Sequence, residues 1–197
     1  MTKTEKLTEL VKLRNGYLSI SEAQELEISR AYIQEYIAAN RLERVARGLY
    51  KSPEVWTDDL YIFALKNEKM VYSFDTALML HGLTEREPAE IFATVSRSYN
   101  ASHLRSTGIV INHVRDEWLN LGRTVAQTTY GNEVSVYDME RTICDILRVK
   151  DKKDPQMFTY AIKEYAKCSN KNLPRLMKYA KEFGVEVELR KYMEVLL

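Results

Sequence analysis

The chain is 197 residues long, 45% hydrophobic and 29% charged, with a formal net charge of +1; that balance belongs to a globular protein and excludes a disordered or low-complexity one. No run approaches the roughly eighteen apolar residues of a membrane span, and MTKTEKLTEL lacks the apolar core and cleavage site of a signal peptide, so a cytoplasmic protein without membrane contact is expected. The near-neutral total conceals a gradient, with nine basic and seven acidic residues over 1–52, ten and fourteen over 53–150, and ten and seven over 151–197.

Leu7, Leu10, Val11 and Arg14 form a helical stripe over Thr4 to Asn15, and Gly16 stands where a left-handed residue closes a helix. Tyr17 to Ile20 is short and apolar and reads as a strand. Ser21, with Gln24 three residues on, is placed to cap a short helix. Glu27 and Ile28 then turn the corner, and Ser29 caps the next helix. There Ile33, Tyr36, Ile37 and Asn40 share one face, leaving Ala31, Tyr32, Gln34, Glu35 and Ala38 outward. Leu42 to Val45 and Leu49 to Lys51 read as two strands joined through Ala46, Arg47 and Gly48, the glycine free to take a positive φ.

Helix, short helix, helix and hairpin in that order are the plan of a winged helix-turn-helix, which makes duplex DNA the first partner to consider. Arg41, Arg44, Arg47 and Lys51 lie on or beside the hairpin, and from Ser29 to Lys51 five basic residues face two acidic ones, Glu35 and Glu43. A positive wing neutralises phosphate, the source of most sequence-independent affinity, and small and polar residues on the outward helix face suit a major groove. Two other readings stand beside this one. Helix-turn-helix folds also serve as protein-docking modules, and basic residues on a hairpin can be a solvated edge that discourages strand pairing. Glu35 either accepts from a cytosine amino group or repels phosphate.

Ser52-Pro53 breaks the pattern, because proline cannot join a ladder and pushes its predecessor out of helical geometry. The boundary is therefore expected between Ser52 and Asp58, dividing a DNA-binding domain of residues 1–55 from a second domain of residues 56–197. Thr57 or Asp58 caps a helix to about Lys66 that buries Leu60, Phe63 and Ala64, with Tyr61 beside them. Ser73 caps Phe74 to His81, closed by Gly82. The stretch from Ala89 to Ser96 and that from Gly108 to Val114 read as strands. Arg123 to Tyr130 and Glu133 to Tyr137 make a hairpin around Gly131-Asn132. The remainder is helical: Asp138 caps Met139 to Arg148, Pro155 opens Gln156 to Lys167, Asn172 precedes a helix through Glu182, and Glu186 to Leu197 follows. The fold class expected is α+β, an N-terminal winged helix-turn-helix followed by a mixed domain with a small central sheet flanked by helices and a helical C-terminus.

Little else in the chain carries chemistry. Strands and helices do not alternate, which argues against a doubly wound nucleotide fold, and the glycine-rich phosphate loops are absent from the sequence. Cys144 and Cys168 read as free thiols, and His81, His103 and His113 have no paired-ligand spacing with them, so neither a metal nor a cofactor is expected. The basic C-terminal residues Lys163, Lys167, Lys171, Arg175, Lys178 and Lys181 read as solvated helical surface. In ERTICD, Glu140 to Asp145, two carboxylates and an arginine invite a catalytic reading, but Arg141 and Asp145 are four apart on a helix and read better as a salt bridge. A nuclease would need an acidic residue on one strand and an E-x-K pair on the next; Glu90 and Glu133 are present without that partner.

The segments RLERVARGLYKSPE (Arg41 to Glu54), SFDTALMLHG (Ser73 to Gly82) and VSVYDMERTICDIL (Val134 to Leu147) resemble, in this order along the chain, the AbiEi antitoxins. These are the antitoxin and transcriptional-regulator halves of the type IV abortive-infection toxin-antitoxin systems that protect bacteria against phage. The resemblance implies an N-terminal winged helix that represses its own operon, with two copies reading inverted repeats in the promoter. It also implies a C-terminal domain that counteracts a nucleotidyltransferase-like toxin without a stable complex, and no enzymatic activity. On this likeness Ser29, Arg30, Tyr32 and Gln34 meet the major groove or its phosphates, Arg41 and Arg44 the backbone, and Arg47 the adjacent minor groove, with Lys51 completing the basic hairpin. An adaptor that inhibits the toxin by direct binding is the other reading of the second domain.

Overall fold

The computed structural model describes residues 1–105, 108–149 and 155–196; Leu197 and the side chains of residues 103, 105, 155, 195 and 196 lie outside what is described. The chain divides into two compact units, one made of residues 1–66 and 128–132, the other of residues 67–127 and 133–197. The division thus falls after Lys66, beyond the stretch from Ser52 to Asp58 in which a boundary was expected.

In the N-terminal unit the elements are α1 (Lys3–Leu13), β1 (Tyr17–Ser19), α2 (Ile20–Glu25), α3 (Arg30–Ala39), β2 (Glu43–Ala46), β3 (Leu49–Lys51) and α4 (Asp59–Lys66). Thr2 and Glu5 cap α1 reciprocally, each side chain bonding the other's backbone N–H. Gly16 has φ of 89° and sits so close to Val55 that a Cβ there would lie 2.4 Å from its Cγ2, so both backbone and space demand glycine. The three strands pair antiparallel in the order β1-β3-β2, and Gly48 turns the hairpin with φ of 72°. Leu7, Leu18, Ala23, Ile28, Ile33 and Ile37 form the core under this sheet.

Three expectations change here. Ser19, not Ser21, precedes α2, because β1 runs directly into the helix; the Ser19 and Ser21 hydroxyls bond each other at 2.8 Å and neither caps. Asn40 is exposed and closes α3, its Nδ2 donating to the Tyr36 carbonyl at 2.8 Å. On α4 the buried residues are Tyr61 and Ile62. Tyr17 sets that phase: its ring meets Tyr61 edge-on at 5.2 Å, and its hydroxyl donates to the Trp56 carbonyl and accepts from the Asp58 N–H.

Asp58 is buried and caps α4 through the Tyr61 N–H at 3.0 Å, while its other oxygen accepts from Thr128 Oγ1 at 2.5 Å and Asn132 Nδ2 at 2.7 Å. Loop 128–132 is closed on itself by the Thr128 N–H to the Asn132 carbonyl and the Gly131 N–H to the Thr128 carbonyl, both 2.9 Å. It is a wider turn than the glycine-asparagine pair suggested, because Thr128 and Asn132 are buried against Asp58 instead of continuing the ladder.

The second unit comprises β4 (Val71–Tyr72), α5 (Phe74–Leu80), β5 (Ile91–Ser96), α6 (Ser102–Arg105), β6 (Ile109–Val114), α7 (Asp116–Leu119), β7 (Arg123–Gln127), β8 (Glu133–Tyr137), α8 (Met139–Arg148), α9 (Pro155–Lys167), α10 (Leu173–Glu182) and α11 (Glu186–Leu196). Its sheet runs β6-β5-β4-β8-β7, mixed in direction, with β5/β6 and β4/β8 parallel and the other two pairings antiparallel. The two-residue β4, which the sequence did not reveal, is the central strand. α5, α8, α9, α10 and α11 share one apolar core around Leu78, Ile143, Ile146, Phe158, Leu176 and Leu189. This is the α+β architecture read from the sequence, with the helical C-terminus included. Among the described residues no helix is long and apolar enough to cross a membrane.

Candidate nucleic-acid interface

Helix α3 owes its seating to two side-chain bonds that the sequence pattern did not reveal. Tyr32 and Thr4 hydroxyls meet at 2.7 Å and Tyr36 and Thr8 at 3.1 Å, so one turn of α3 is stapled to one turn of α1. Thr4 and Thr8 are four apart on one face of α1 and Tyr32 and Tyr36 four apart on one face of α3, but only tertiary packing brings those two faces together. Tyr32 is therefore half-buried, with the Lys3 ammonium 5.6 Å from its ring centroid, and its position is that of a packing residue. Ile33, Tyr36 and Ile37 are buried as expected, leaving Ser29, Arg30, Ala31, Gln34, Glu35 and Ala38 exposed. Ser29 caps the helix through the Tyr32 N–H at 3.4 Å, and unpaired N–H groups at this end attract anions.

After α3 the chain turns through Arg41, whose φ of 54° lies in the left-handed region. The Arg41 and Leu42 N–H groups bond back to the Ala38 and Ile37 carbonyls at 3.2 and 3.0 Å, satisfying the helix end. In the wing, a register irregularity separates Arg44 from Ala46, and Arg44 Nε reaches the Ala46 carbonyl at 3.4 Å. Arg41, Arg44 and Arg47 are all exposed. Among the described residues, Arg30, Arg41, Arg44 and Arg47 have no carboxylate partner, whereas nearby Arg14 is paired with Glu22 and Lys51 with Glu43. Unneutralised cations thus collect on α3's ends and the wing.

Lys51 does not belong to that set. It is only 6% exposed, and its ammonium is held 2.8 Å from both Glu43 Oε2 and the Val55 carbonyl. The alternation of β3 turns Leu49 and Lys51 inward, so the lysine spends its charge inside the unit. The other basic positions of the helix and hairpin remain on the surface.

In the second unit the ERTICD segment is structural. Arg141 is fully buried; its Nε donates to Asp145 Oδ2 at 2.8 Å, its Nη1 donates to the Trp118 and Leu121 carbonyls at 3.0 Å, and its guanidinium lies 4.4 and 4.2 Å from the Tyr137 and Phe183 rings. Glu140 accepts from the Tyr165 hydroxyl at 2.9 Å and the Asn172 N–H at 2.8 Å. Asp138 caps α8 through the Arg141 N–H at 2.7 Å. Burial holds the Asp145 and Asp138 carboxyls above the usual range, against the lowering pull of Arg141 on the first and of the N-cap bond on the second. Burial also pushes the Cys144 thiol up to about 12, which keeps it protonated and a poor nucleophile. Both cysteines are free, and among the described residues no group of three or more His, Cys, Asp or Glu side chains is arranged to hold a metal ion.

The geometry defines a winged helix-turn-helix followed by a separate α+β unit. Residues 5–53, the winged helix-turn-helix, match the AbiEi_4 family model, described as a transcriptional regulator, AbiEi antitoxin. None of the curated proteins matches the chain. Among solved structures, the crystal structure of the RV2827C protein from Mycobacterium tuberculosis is similar at a TM-score of 0.53 and 13% identity, over 87% of this chain and 69% of that one. At that identity the likeness is one of fold.

Proposed function

We propose that the protein is a DNA-binding autorepressor and antitoxin of the type IV abortive-infection class. The winged helix binds inverted repeats in its own promoter, two copies to an operator, and the second domain counteracts a nucleotidyltransferase-like toxin without a stable complex and without enzymatic chemistry. The observation that carries the DNA reading is the contrast in neutralisation: among the described residues Arg30, Arg41, Arg44 and Arg47 have no carboxylate partner, while Arg14 and Lys51 of the same unit do. Cations left unpaired beside a recognition helix are the expected footprint of phosphate contacts.

Roles follow from placement. Ser29 and Arg30 at the α3 N-terminus, with Arg41 and Arg44, take phosphates; Gln34 reads base edges from the exposed face; and Arg47 at the wing tip enters the adjacent minor groove. Tyr32 contributes by fixing the tilt of α3 on α1, and Lys51 by bracing the wing. Glu35, exposed on the same face, limits the register in which the helix can lie, because it repels phosphate and suits only a donor such as a cytosine amino group.

The test is equilibrium binding of the full chain to a duplex of its own upstream DNA across a salt series. Affinity is expected to fall linearly with salt on logarithmic axes, and replacing Arg44 and Arg47 by alanine is expected to flatten that slope. Absence of any salt-sensitive association with that duplex rejects the regulator reading. Co-expression with the neighbouring toxin tests the second domain: rescue without co-purification supports indirect action, and a stable complex replaces it with the adaptor.

A further inference from the structure

The wing turn is held from three sides. The Ala46 carbonyl accepts from Arg44 Nε at 3.4 Å, the Gly48 carbonyl from the Ile20 N–H at 2.9 Å, and the Arg47 carbonyl from Lys66 Nζ at 2.8 Å. The first two donors belong to the winged helix itself. The third comes from the last residue of α4, beyond the segment 5–53 that carries the regulator likeness.

We infer that Lys66 is a DNA-contacting residue, a second cation at the wing tip that the fold places beside Arg47. The inference rests on the DNA-binding reading above and extends it to a residue outside the winged helix proper. Lys66 is exposed, and among the described residues it has no carboxylate partner. An ammonium has three donors, and the Arg47 carbonyl occupies one, leaving charge and two donors for a phosphate oxygen. A lysine that served only to tie the turn could do so with its charge neutralised, as Lys51 does beside Glu43 and the Val55 carbonyl. Among the described residues Lys66 lacks that carboxylate, so its ammonium brings an unneutralised positive charge to the turn whose tip carries Arg47. Holding the ammonium on the turn's own backbone also lowers the entropy lost when it meets a phosphate, because the side chain is already directed.

The experiment compares the full-length protein with Lys66→Met, which keeps the apolar stem, and Lys66→Arg, which keeps the charge, on the promoter duplex from low to high salt. Circular dichroism checks that each variant is folded. Lys66→Met is expected to flatten the logarithmic salt slope by about 0.9, one phosphate contact, which is about an eightfold loss of affinity at 0.1 M salt if the two proteins converge at 1 M. Lys66→Arg is expected to restore the wild-type slope. Wild-type affinity and slope in Lys66→Met overturn the inference while leaving the DNA reading intact. A loss of affinity with an unchanged slope overturns it too, because it assigns Lys66 to the wing's shape alone. If the wild-type protein shows no salt-sensitive binding, the DNA reading and this inference fail together.

Discussion

At the scale of the residue, the winged helix-turn-helix spends backbone strain at two points besides Asn15, whose φ of 51° is one that asparagine tolerates. Glu27, in the turn between α2 and α3, has φ of 61°, and Arg41, just past α3, has φ of 54°. Both are positions where glycine is the unstrained choice, and a side chain with a Cβ costs about 1 kcal/mol there. The two should separate on substitution. Glu27→Gly is expected to raise the stability of the N-terminal unit by roughly 0.5–1 kcal/mol with little effect on DNA affinity, because Glu27 only turns the corner. Arg41→Gly should bring a similar gain in stability and a loss of affinity with a flatter salt slope, since the unpaired guanidinium goes with the strain. Urea unfolding paired with promoter binding measures both. Equal affinity in Arg41→Gly and the wild type would remove Arg41 from the proposed interface and leave its strained backbone without a functional reason.

At the scale of the element, what was legible depended on whether the signal was local. The α2–α3 corner, the wing turn and the α8 cap are written in adjacent residues, Ser29, Gly48 and Asp138, so capping and turn chemistry locate them. β4 is two residues, Val71 and Tyr72, too short to alternate, and α6 and α7 are four residues each, so no periodicity could announce them. The phase of α4 was legible only in part, since Tyr61 was expected inside and Ile62 was not: Tyr17 and Asp58, not the helix's own pattern, decide that both go inside. Within the candidate interface, charge and order were readable, but the inward turn of Lys51 and the stapling of Tyr32 required tertiary contacts. The spacing of Arg141 and Asp145 foretold their ion pair; the aromatic rings on either side of the guanidinium come from residues 137 and 183, which no local window joins.

The same helix start yields a pH prediction. The Asp138 carboxyl lies above its ordinary range because burial and neighbouring Glu140 outweigh the N-cap bond and Arg175. For a group raised on folding, the stabilising contribution is complete below the unfolded pKa, near 4, and is lost as pH rises through the folded value. Acidification toward about pH 4 should therefore add stability through this carboxyl, contrary to the usual acid effect of salt-bridged carboxylates. Asp138→Asn retains a capping oxygen and removes the titration. The stability of the second unit is expected to vary less between about pH 4 and neutral pH in the variant than in the wild type. Urea midpoints across that range check this, and parallel pH profiles for the two proteins would show that Asp138 does not titrate differently on folding.

At the scale of the whole molecule, the N-terminal unit is discontinuous in sequence, and this bears on what would make up the proposed DNA-binding domain. Residues 1–66 are completed by residues 128–132, and Asp58 gathers both parts by accepting from the Tyr61 N–H, Thr128 and Asn132. A polypeptide cut after residue 55 keeps the whole wing but loses Asp58, α4 and Lys66. One cut after Lys66 keeps these and leaves the Asp58 carboxylate without its loop donors. Each buried hydrogen bond of this kind contributes about 1 kcal/mol, and more when one partner is ionised, so the isolated residues 1–66 should be less stable than the same unit in the full chain by about 2–4 kcal/mol. Asp58→Ala in the full chain should reproduce much of that loss, because it strands the Tyr61 N–H and both loop donors. In either protein, promoter affinity should fall only as far as the folded fraction falls, since the exposed cations of α3 and the wing are untouched. Hydrogen exchange of α1 and α3 amides gives the stability of the unit directly. Equal protection in residues 1–66, Asp58→Ala and the full chain would mean that loop 128–132 is a bystander and that the first 66 residues suffice for the fold.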